Sequence, residues 1–213
     1  MIEKKGFALS ILLYAALWLA WSLWKTLLVP LLGGGVWAAL FDAVPVKLLV
    51  WIVPPAFVFW RGRGGLRNLF AAPFPWLPCL IALCLAVAFL YTLRLANGLQ
   101  GTYVVFDPML PIFSLSAGIV EELSFRGGFL PAQEKVIGFW PAVGLNGLLF
   151  ALYHYPGLLF GQGWGQFLSL RTLLLFVMGV VFCFMFKKWK NLALNMTVHT
   201  AWDLLSYLFC LAG

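Results

Sequence analysis

The stretch Glu121-Glu122-Leu123-Ser124-Phe125-Arg126 lies at the end of an apolar segment that otherwise resembles a membrane span. A charged side chain inside a bilayer costs roughly 3 kcal/mol even on a lenient insertion scale. A chain that keeps two adjacent carboxylates at such a position is expected to use them. The remaining spans are then expected to hold these glutamates in place and to give them water, a partner base and a substrate.

The composition is that of an integral membrane protein. The 213 residues are 63% hydrophobic and only 10% charged, whereas about a quarter of the residues in a soluble domain are charged. We expect a single membrane domain over residues 1–213, in which residues 1–107 frame the motif-bearing core of residues 108–211. The net charge of +7 comes from short basic clusters between apolar runs, a pattern of membrane topology rather than of nucleic-acid binding.

The apolar runs predict an all-α bundle of about seven transmembrane spans, each near the ~20 residues that cross a bilayer. The second is interrupted by Asp42, Lys47 and three prolines, and we expect it to be kinked or partly interfacial. The predicted spans cover roughly residues 7–29, 36–60, 74–96, 108–130, 138–156, 166–186 and 191–211.

The basic residues predict that the N-terminus is cytoplasmic and the C-terminus is outside. With that orientation, the opposite loops around residues 30–36, 97–107 and 157–165 contain no Lys or Arg, as the positive-inside rule requires. We expect a multi-pass protein of a bacterial or archaeal cell membrane, with its site in the cytoplasmic half of the bilayer. The predicted cytoplasmic cations are Lys4, Lys5, Arg61, Arg63, Arg67, Arg126, Lys135, Lys187, Lys188 and Lys190.

The two adjacent glutamates are predicted to differ in role. Glu122 and Arg126 are four residues apart and share a helix face, so they can pair. Glu121 lies about 100° further round the helix and need not share that cation. We therefore expect Glu122 to be held ionised and Glu121 to remain available as a general base. The alternative is a purely structural salt bridge between helices.

Both histidines of the chain lie in predicted spans, each four residues from another candidate. Phe150 and His154 share one face of the fifth span, and His199 and Asp203 share one face of the seventh. Asp203 can accept a hydrogen bond from His199 and fix its tautomer. Interhelical hydrogen bonding is expected to account for three further polar residues, namely Asn146, Asn195 and Thr197.

Three ordered motifs in the second half of the chain resemble those of the CAAX protease and bacteriocin-processing family, also called the Abi family. The family motifs EExxxR, FxxxH and HxxxN/D are matched by Glu-Glu-Leu-Ser-Phe-Arg-Gly (121–127), Phe-Ala-Leu-Tyr-His (150–154) and His-Thr-Ala-Trp-Asp (199–203). The resemblance covers about residues 108–211. It implies a helical bundle that acts as an intramembrane endopeptidase of the glutamate type.

The resemblance also implies a role for each matching residue. Glu121 and His154 would bind and activate the attacking water, and His199 and Asp203 would stabilise the oxyanion on the scissile carbonyl. Asp203 stands where the best-known CAAX-cleaving members have asparagine, and an ionised aspartate cannot donate a hydrogen bond. Either a protonated Asp203, or one that only orients His199, resolves this difference. The candidate catalytic residues are therefore Glu121, Glu122, His154, His199 and Asp203, supported by Arg126 and Phe150.

Residue chemistry alone leaves other functions open. Amide hydrolysis needs a base for water and donors for the oxyanion, which a carboxylate and two imidazoles provide without a cofactor. Glu121, His154 and His199 could instead ligate zinc, although the chain has no HExxH motif. The expected partners are the lipid bilayer and a peptide or protein substrate near the membrane, with no nucleic acid. The alternatives are a non-catalytic immunity or scaffold protein of the same fold, and a proton-coupled transporter.

Overall fold

The computed structural model of the chain describes residues 2–60, 65–99 and 107–209, and these residues form helices and turns without a strand. The predicted all-helical class is therefore confirmed. Arg61 and Arg63, and most of the predicted loop 97–107, lie outside the described residues.

The helices follow the predicted apolar runs closely. The first half contains α1 (Ile2–Leu23), α2 (Val36–Phe41), α3 (Lys47–Trp51), α4 (Val53–Pro55) and α5 (Trp76–Ala96). The second half contains α6 (Leu110–Ser124), α7 (Leu130–Ile137), α8 (Phe139–Tyr153), α9 (Trp164–Phe167), α10 (Leu170–Trp189) and α11 (Leu192–Leu208). Short π-helical or 3₁₀ segments lie at Trp24–Leu28, Val29–Leu32, Asp42–Val46, Ala56–Trp60, Gly65–Phe70, Phe125–Phe129 and Pro156–Phe160.

Within the part of the chain that the structure describes, four helical segments are long and apolar enough to cross a membrane: Gly6–Leu32, Val36–Trp60, Trp76–Ala96 and Leu170–Trp189. The other predicted spans coincide with α6, α8 and α11, which have 15, 15 and 17 residues. These are shorter than the ~20 residues of an ideal span. The count of seven and the N-in/C-out orientation therefore stay predictions.

The interrupted second span is a helix of changing pitch. Pro45 lies inside the π-helical turn Asp42–Val46, which separates α2 from α3. Proline lacks a backbone donor and its ring obstructs the preceding turn, so a widened turn accommodates it. The segment nevertheless continues to Trp60, and it presents Lys47 to the protein interior with only 9% of its surface exposed.

The directions of neighbouring helices agree with a chain that crosses the membrane back and forth in the predicted order of spans. α1 and α8 are parallel, because Tyr14 donates to the Leu149 carbonyl at 2.7 Å and Trp21 stacks on Tyr153 further along both helices. α6 and α11 are antiparallel. Gly118 contacts Thr200, while Glu122, one turn later in α6, contacts Asn195, which comes earlier in α11.

A close approach between α6 and α11 sets the spacing of the two helices that carry most of the site. A Cβ atom at Gly118 would collide with Thr200 Oγ1 and lie 2.9 Å from the Met196 carbonyl oxygen. Small residues at such crossings let helix backbones in membranes come together. On the other side of α6, a fully buried aromatic core surrounds Phe125, formed with Tyr14, Trp51, Phe129, Phe150 and Tyr153.

Candidate active site

Glu121 is buried between α6 and α3, and its two carboxylate oxygens have different surroundings. Oε1 accepts a hydrogen bond from Lys47 Nζ at 2.7 Å. The sequence predicted only that Glu121 need not share Arg126, and its cation is Lys47, a lysine 74 residues away in sequence. This ion pair fixes one carboxylate oxygen and leaves the other facing the histidines.

The second oxygen of Glu121 lies between the two histidines. Oε2 is 3.8 Å from His154 Nε2 and 3.7 Å from His199 Nε2. It is buried and, among the described residues, has no hydrogen-bond partner. Both distances exceed a direct hydrogen bond. Three polar atoms from three helices thus converge around one small volume.

The His154 ring is oriented by the carbonyl of Phe150. His154 caps the C-terminus of α8, and its Nδ1 lies 2.9 Å from the Phe150 carbonyl oxygen. A carbonyl only accepts, so Nδ1 carries the proton and the Nε2 of a neutral ring is an acceptor. The four-residue spacing of Phe150 and His154 reflects this contact, together with a ring contact at 5.0 Å.

The His199 ring is oriented by Glu122. Its Nδ1 lies 3.0 Å from Glu122 Oε1, so it donates to this carboxylate, while the ring stacks on Phe182. Asp203, which the sequence suggested for this task, lies instead near the other ring nitrogen, with Oδ2 3.7 Å from His199 Nε2. The orienting role therefore moves from Asp203 to Glu122, and Asp203 remains partly exposed at the edge of the site.

Glu122 is the centre of a fully buried polar network. Arg126 Nη1 donates to its Oε1 at 3.0 Å, as the sequence predicted, and Asn195 donates to its Oε2 at 3.1 Å. Arg126 also donates to the Gly179 carbonyl of α10 at 2.9 Å. The guanidinium lies over the Phe150 ring, 4.5 Å from its centroid. The aromatic ring faces and the hydrogen bonds together offset the free-energy cost of burying the Arg126 guanidinium.

The other predicted polar contacts are confirmed in part. Asn195 bonds between helices, as above, and Asn146 donates to the Phe125 carbonyl at 3.1 Å. Thr197, in contrast, donates to the Ala193 carbonyl of its own helix. Its hydroxyl therefore bonds to the backbone of α11 itself and does not link α11 to another helix.

Sequence reasoning missed Lys47 as a site residue. The signal was present, because an ionisable residue within an apolar run is a functional candidate by default. The prolines and charged residues around Pro45 predicted a kinked or partly interfacial helix and gave Lys47 no separate role. All the candidate site residues named from the sequence lie together in the structure, around Glu121 and Glu122.

A metal centre was the alternative for the same side chains. Within residues 2–60, 65–99 and 107–209, no group of three or more His, Cys, Asp or Glu side chains has the geometry of a metal site. Glu121 Oε2 and the two Nε2 atoms are the donor set that zinc would use.

Residues 103–205 match the sequence model of a family described as type II CAAX prenyl endopeptidase, Rce1-like. The match contains all three motifs and ends within α11, whereas Lys47 lies outside it. No protein of curated function and no solved structure matches the chain.

Proposed function

We propose that the chain belongs to the family described as type II CAAX prenyl endopeptidase, Rce1-like, whose sequence model residues 103–205 match, and that it hydrolyses a peptide bond within the membrane by a glutamate-activated water. The observation that carries this proposal is the unpartnered, buried Oε2 of Glu121, which faces the Nε2 atoms of His154 and His199. The substrate would be a membrane-proximal peptide or protein tail.

Glu121 and His154 are suited to bind the attacking water. Both Glu121 Oε2 and His154 Nε2 are acceptors, so one water molecule can donate a hydrogen to each. Its oxygen lone pair then points away from both groups, toward a bound carbonyl. Glu121 would take the proton as the oxygen attacks, a contribution typically worth 10²–10⁴-fold for a positioned base.

His199 is suited to stabilise the oxyanion as a cation. Its Nδ1 proton is engaged by Glu122, so Nε2 can donate to an oxyanion only if the ring carries a proton on both nitrogens. The carboxylates of Glu122 and Asp203 on either side of the ring favour that form. Donors aimed at a developing oxyanion each contribute about 10²–10³-fold to kcat.

The proposed reaction closes with the collapse of the tetrahedral intermediate. The carbonyl re-forms, the C–N bond breaks, and Glu121 returns its proton to the leaving nitrogen. The products are a carboxylic acid and an amine, and Glu121 is again ionised beside Lys47. The cycle needs only water and peptide.

The test compares purified parent protein with Glu121→Gln, His154→Ala and His199→Ala on a set of candidate membrane peptides. The expected result is cleavage by the parent and a loss of at least about 10³-fold in Glu121→Gln, because the base is removed. Glu134→Gln is the matched control, since Glu134 pairs with Lys187 away from the site. Cleavage or a biological effect that survives in folded Glu121→Gln would contradict the proposal.

A second measurement decides between a metal-free site and a zinc site. We expect exhaustive chelation to leave the activity unchanged and elemental analysis of the active protein to find no zinc. Loss of activity on chelation, with recovery on adding zinc, would assign Glu121, His154 and His199 as metal ligands instead.

A further inference from the structure

Two adjoining cavities lie where α7, the end of α10 and the 3₁₀ turn Gly65–Phe70 meet. Their volumes are about 170 Å³ and about 200 Å³. Asn68 and Pro131 line both cavities, so the two form one groove, and no candidate catalytic residue lines either of them. We call it the basic groove. Its charged lining residues are Glu134, Lys135, Lys187 and Lys190.

The basic groove carries an excess of positive charge. Glu134 is its one acidic lining residue and pairs with Lys187. Lys135 and Lys190 are exposed, and neither forms an ion pair within the described part of the chain. Two cations therefore remain for a ligand, and that ligand is expected to be an anion.

The backbone at Lys190 is unusual for a lysine. Its φ is 49°, and among the described residues it is the one non-glycine residue with a positive φ. The left-handed conformation is costly for a residue with a Cβ atom, and glycine is the usual residue at this position after a helix. Only Lys190 and Asn191 connect α10 to α11, so the turn requires the conformation. A lysine where glycine fits better indicates a use for its side chain.

The groove lies at the level where lipid headgroups are expected. α10 is one of the four helical segments that are long and apolar enough to cross a membrane, and Lys190 directly follows its last residue, Trp189. Tryptophan and lysine at the end of a span are typical of the boundary between the apolar core and the headgroups.

An exposed aromatic surface adjoins the groove at Lys187. Lys187 Nζ lies over the Phe139 ring, 5.2 Å from its centroid, and Phe139 packs against Trp140 and Phe184. Trp140 is 73% exposed. Phe184 lies one turn before Lys187, toward the middle of α10. Cations at headgroup level with an apolar surface beside them fit an anionic lipid better than a free anion.

We propose that the basic groove binds the phosphate group of an anionic phospholipid, with Lys135 and Lys190 as its cations and with an acyl chain against Trp140 and Phe184. Inorganic phosphate has the same headgroup chemistry but no chain to occupy the aromatic surface. The site is separate from the proposed active centre, and its occupancy is measured without any cleavage.

Thermal unfolding in a neutral detergent tests the proposal. Dioleoylphosphatidylglycerol is titrated into the purified protein, and dioleoylphosphatidylcholine, which has the same chains and no net charge, is titrated in parallel. A third titration uses inorganic phosphate. We expect the anionic lipid to raise the melting temperature by about 5 °C, because a ligand that binds only the folded state stabilises it. The other two ligands are expected to give little shift.

Lys190→Gly assigns the effect to the groove. Glycine adopts the left-handed turn without strain, so this variant should melt no lower than the parent without lipid. We expect the concentration of anionic lipid at half of the shift to rise about fivefold, the effect of one lysine near an anionic membrane surface. Lys190→Arg keeps the charge and should keep the affinity.

Lys188→Gln is the matched control at the same helix end. Lys188 Nζ lies over the Trp189 ring, 4.9 Å from its centroid, and the residue does not line the groove. Equal losses of affinity in Lys188→Gln and Lys190→Gly would overturn the proposal in favour of diffuse attraction to any nearby cation. Equal shifts with the two lipids would also overturn it, and an equal shift with inorganic phosphate would assign a site for a free anion instead.

Discussion

Lys47 Nζ lies 2.7 Å from Glu121 Oε1 and joins the first half of the chain to the motif-bearing half. Both side chains are largely buried, so solvent screens this pair far less than it would a surface pair. Residues 1–107 therefore do more than frame a cavity. They supply the cation that holds the proposed base ionised and turns its second oxygen toward the histidines.

The first prediction concerns Lys47→Met. A buried carboxylate left without its cation is unstable and readily binds a proton, which abolishes its capacity as a base. We expect kcat/KM at neutral pH to fall about 100-fold and the deficit to shrink as the pH is raised and the carboxylate re-forms. The measurement is a pH profile of peptide cleavage.

Lys187→Met is the matched control for this change, because Lys187 pairs with Glu134 at the surface. It is expected to leave both the rate and its pH profile near those of the parent. A Lys47→Met profile parallel to that of the parent at all pH values would mean that Lys47 has only a structural role.

The second prediction concerns the buried pair of Arg126 and Glu122. Arg126→Met leaves the Glu122 charge buried without its cation, and breaking such a pair typically costs about 3–5 kcal/mol. The double variant with Glu122→Gln removes both charges and is expected to recover much of that loss. Thermal unfolding of the parent, the single variants Arg126→Met and Glu122→Gln and the double variant in detergent gives the coupling energy, and strictly additive effects would speak against the pair as described.

The third prediction concerns the crossing of α6 and α11. Gly118→Ala puts a methyl group against Thr200 and the Met196 carbonyl, and overpacking of this kind costs about 1–3 kcal/mol. The helices must separate, so activity is expected to fall as well, because His199 moves away from both glutamates.

Gly144→Ala is the control for the crossing. Gly144 lies in α8 with no neighbour within 4 Å of an added Cβ, and alanine is the better helix former. It should be neutral or slightly stabilising. Equal melting temperatures for Gly118→Ala and the parent would disprove the close approach.

The fourth prediction concerns Asp203→Asn. The carboxylate lies 3.7 Å from His199 Nε2, and its charge favours the doubly protonated ring that the proposed oxyanion role requires. Without that charge, the doubly protonated ring is less favoured, so the alkaline limb of the rate profile is expected to move to lower pH. Asp107→Asn, at an exposed position, is the control. A faster enzyme with an unmoved limb would instead mean that the side chain acts as a hydrogen-bond donor.

Local spacing was enough to predict the contacts within one helix. The four-residue separation of Glu122 and Arg126 predicted their pair, which the structure contains. The same spacing rule placed His154 beside Phe150. It did not predict that the His154 ring bonds to the backbone carbonyl of Phe150.

Contacts between distant segments could not be predicted in this way. Lys47 reaches Glu121 across 74 residues, and Glu122 reaches His199 across 77. Which faces of two helices meet depends on packing, here on the small residue at Gly118, and no spacing rule within a single helix contains that information.

The intrahelical position of the Glu122–Arg126 pair also bears on how the chain enters the membrane during synthesis. Opposite charges one turn apart can neutralise each other as soon as α6 and the π-helical turn Phe125–Phe129 after it form, before His199 and Asn195 have been translated. The insertion machinery then meets a compact dipole rather than two isolated ions, which lowers the free energy of transfer into the bilayer. α11 adds its donor contacts to Glu122, from Asn195 and His199, afterwards, so the polar network around the glutamates is complete only once α11 has been synthesised.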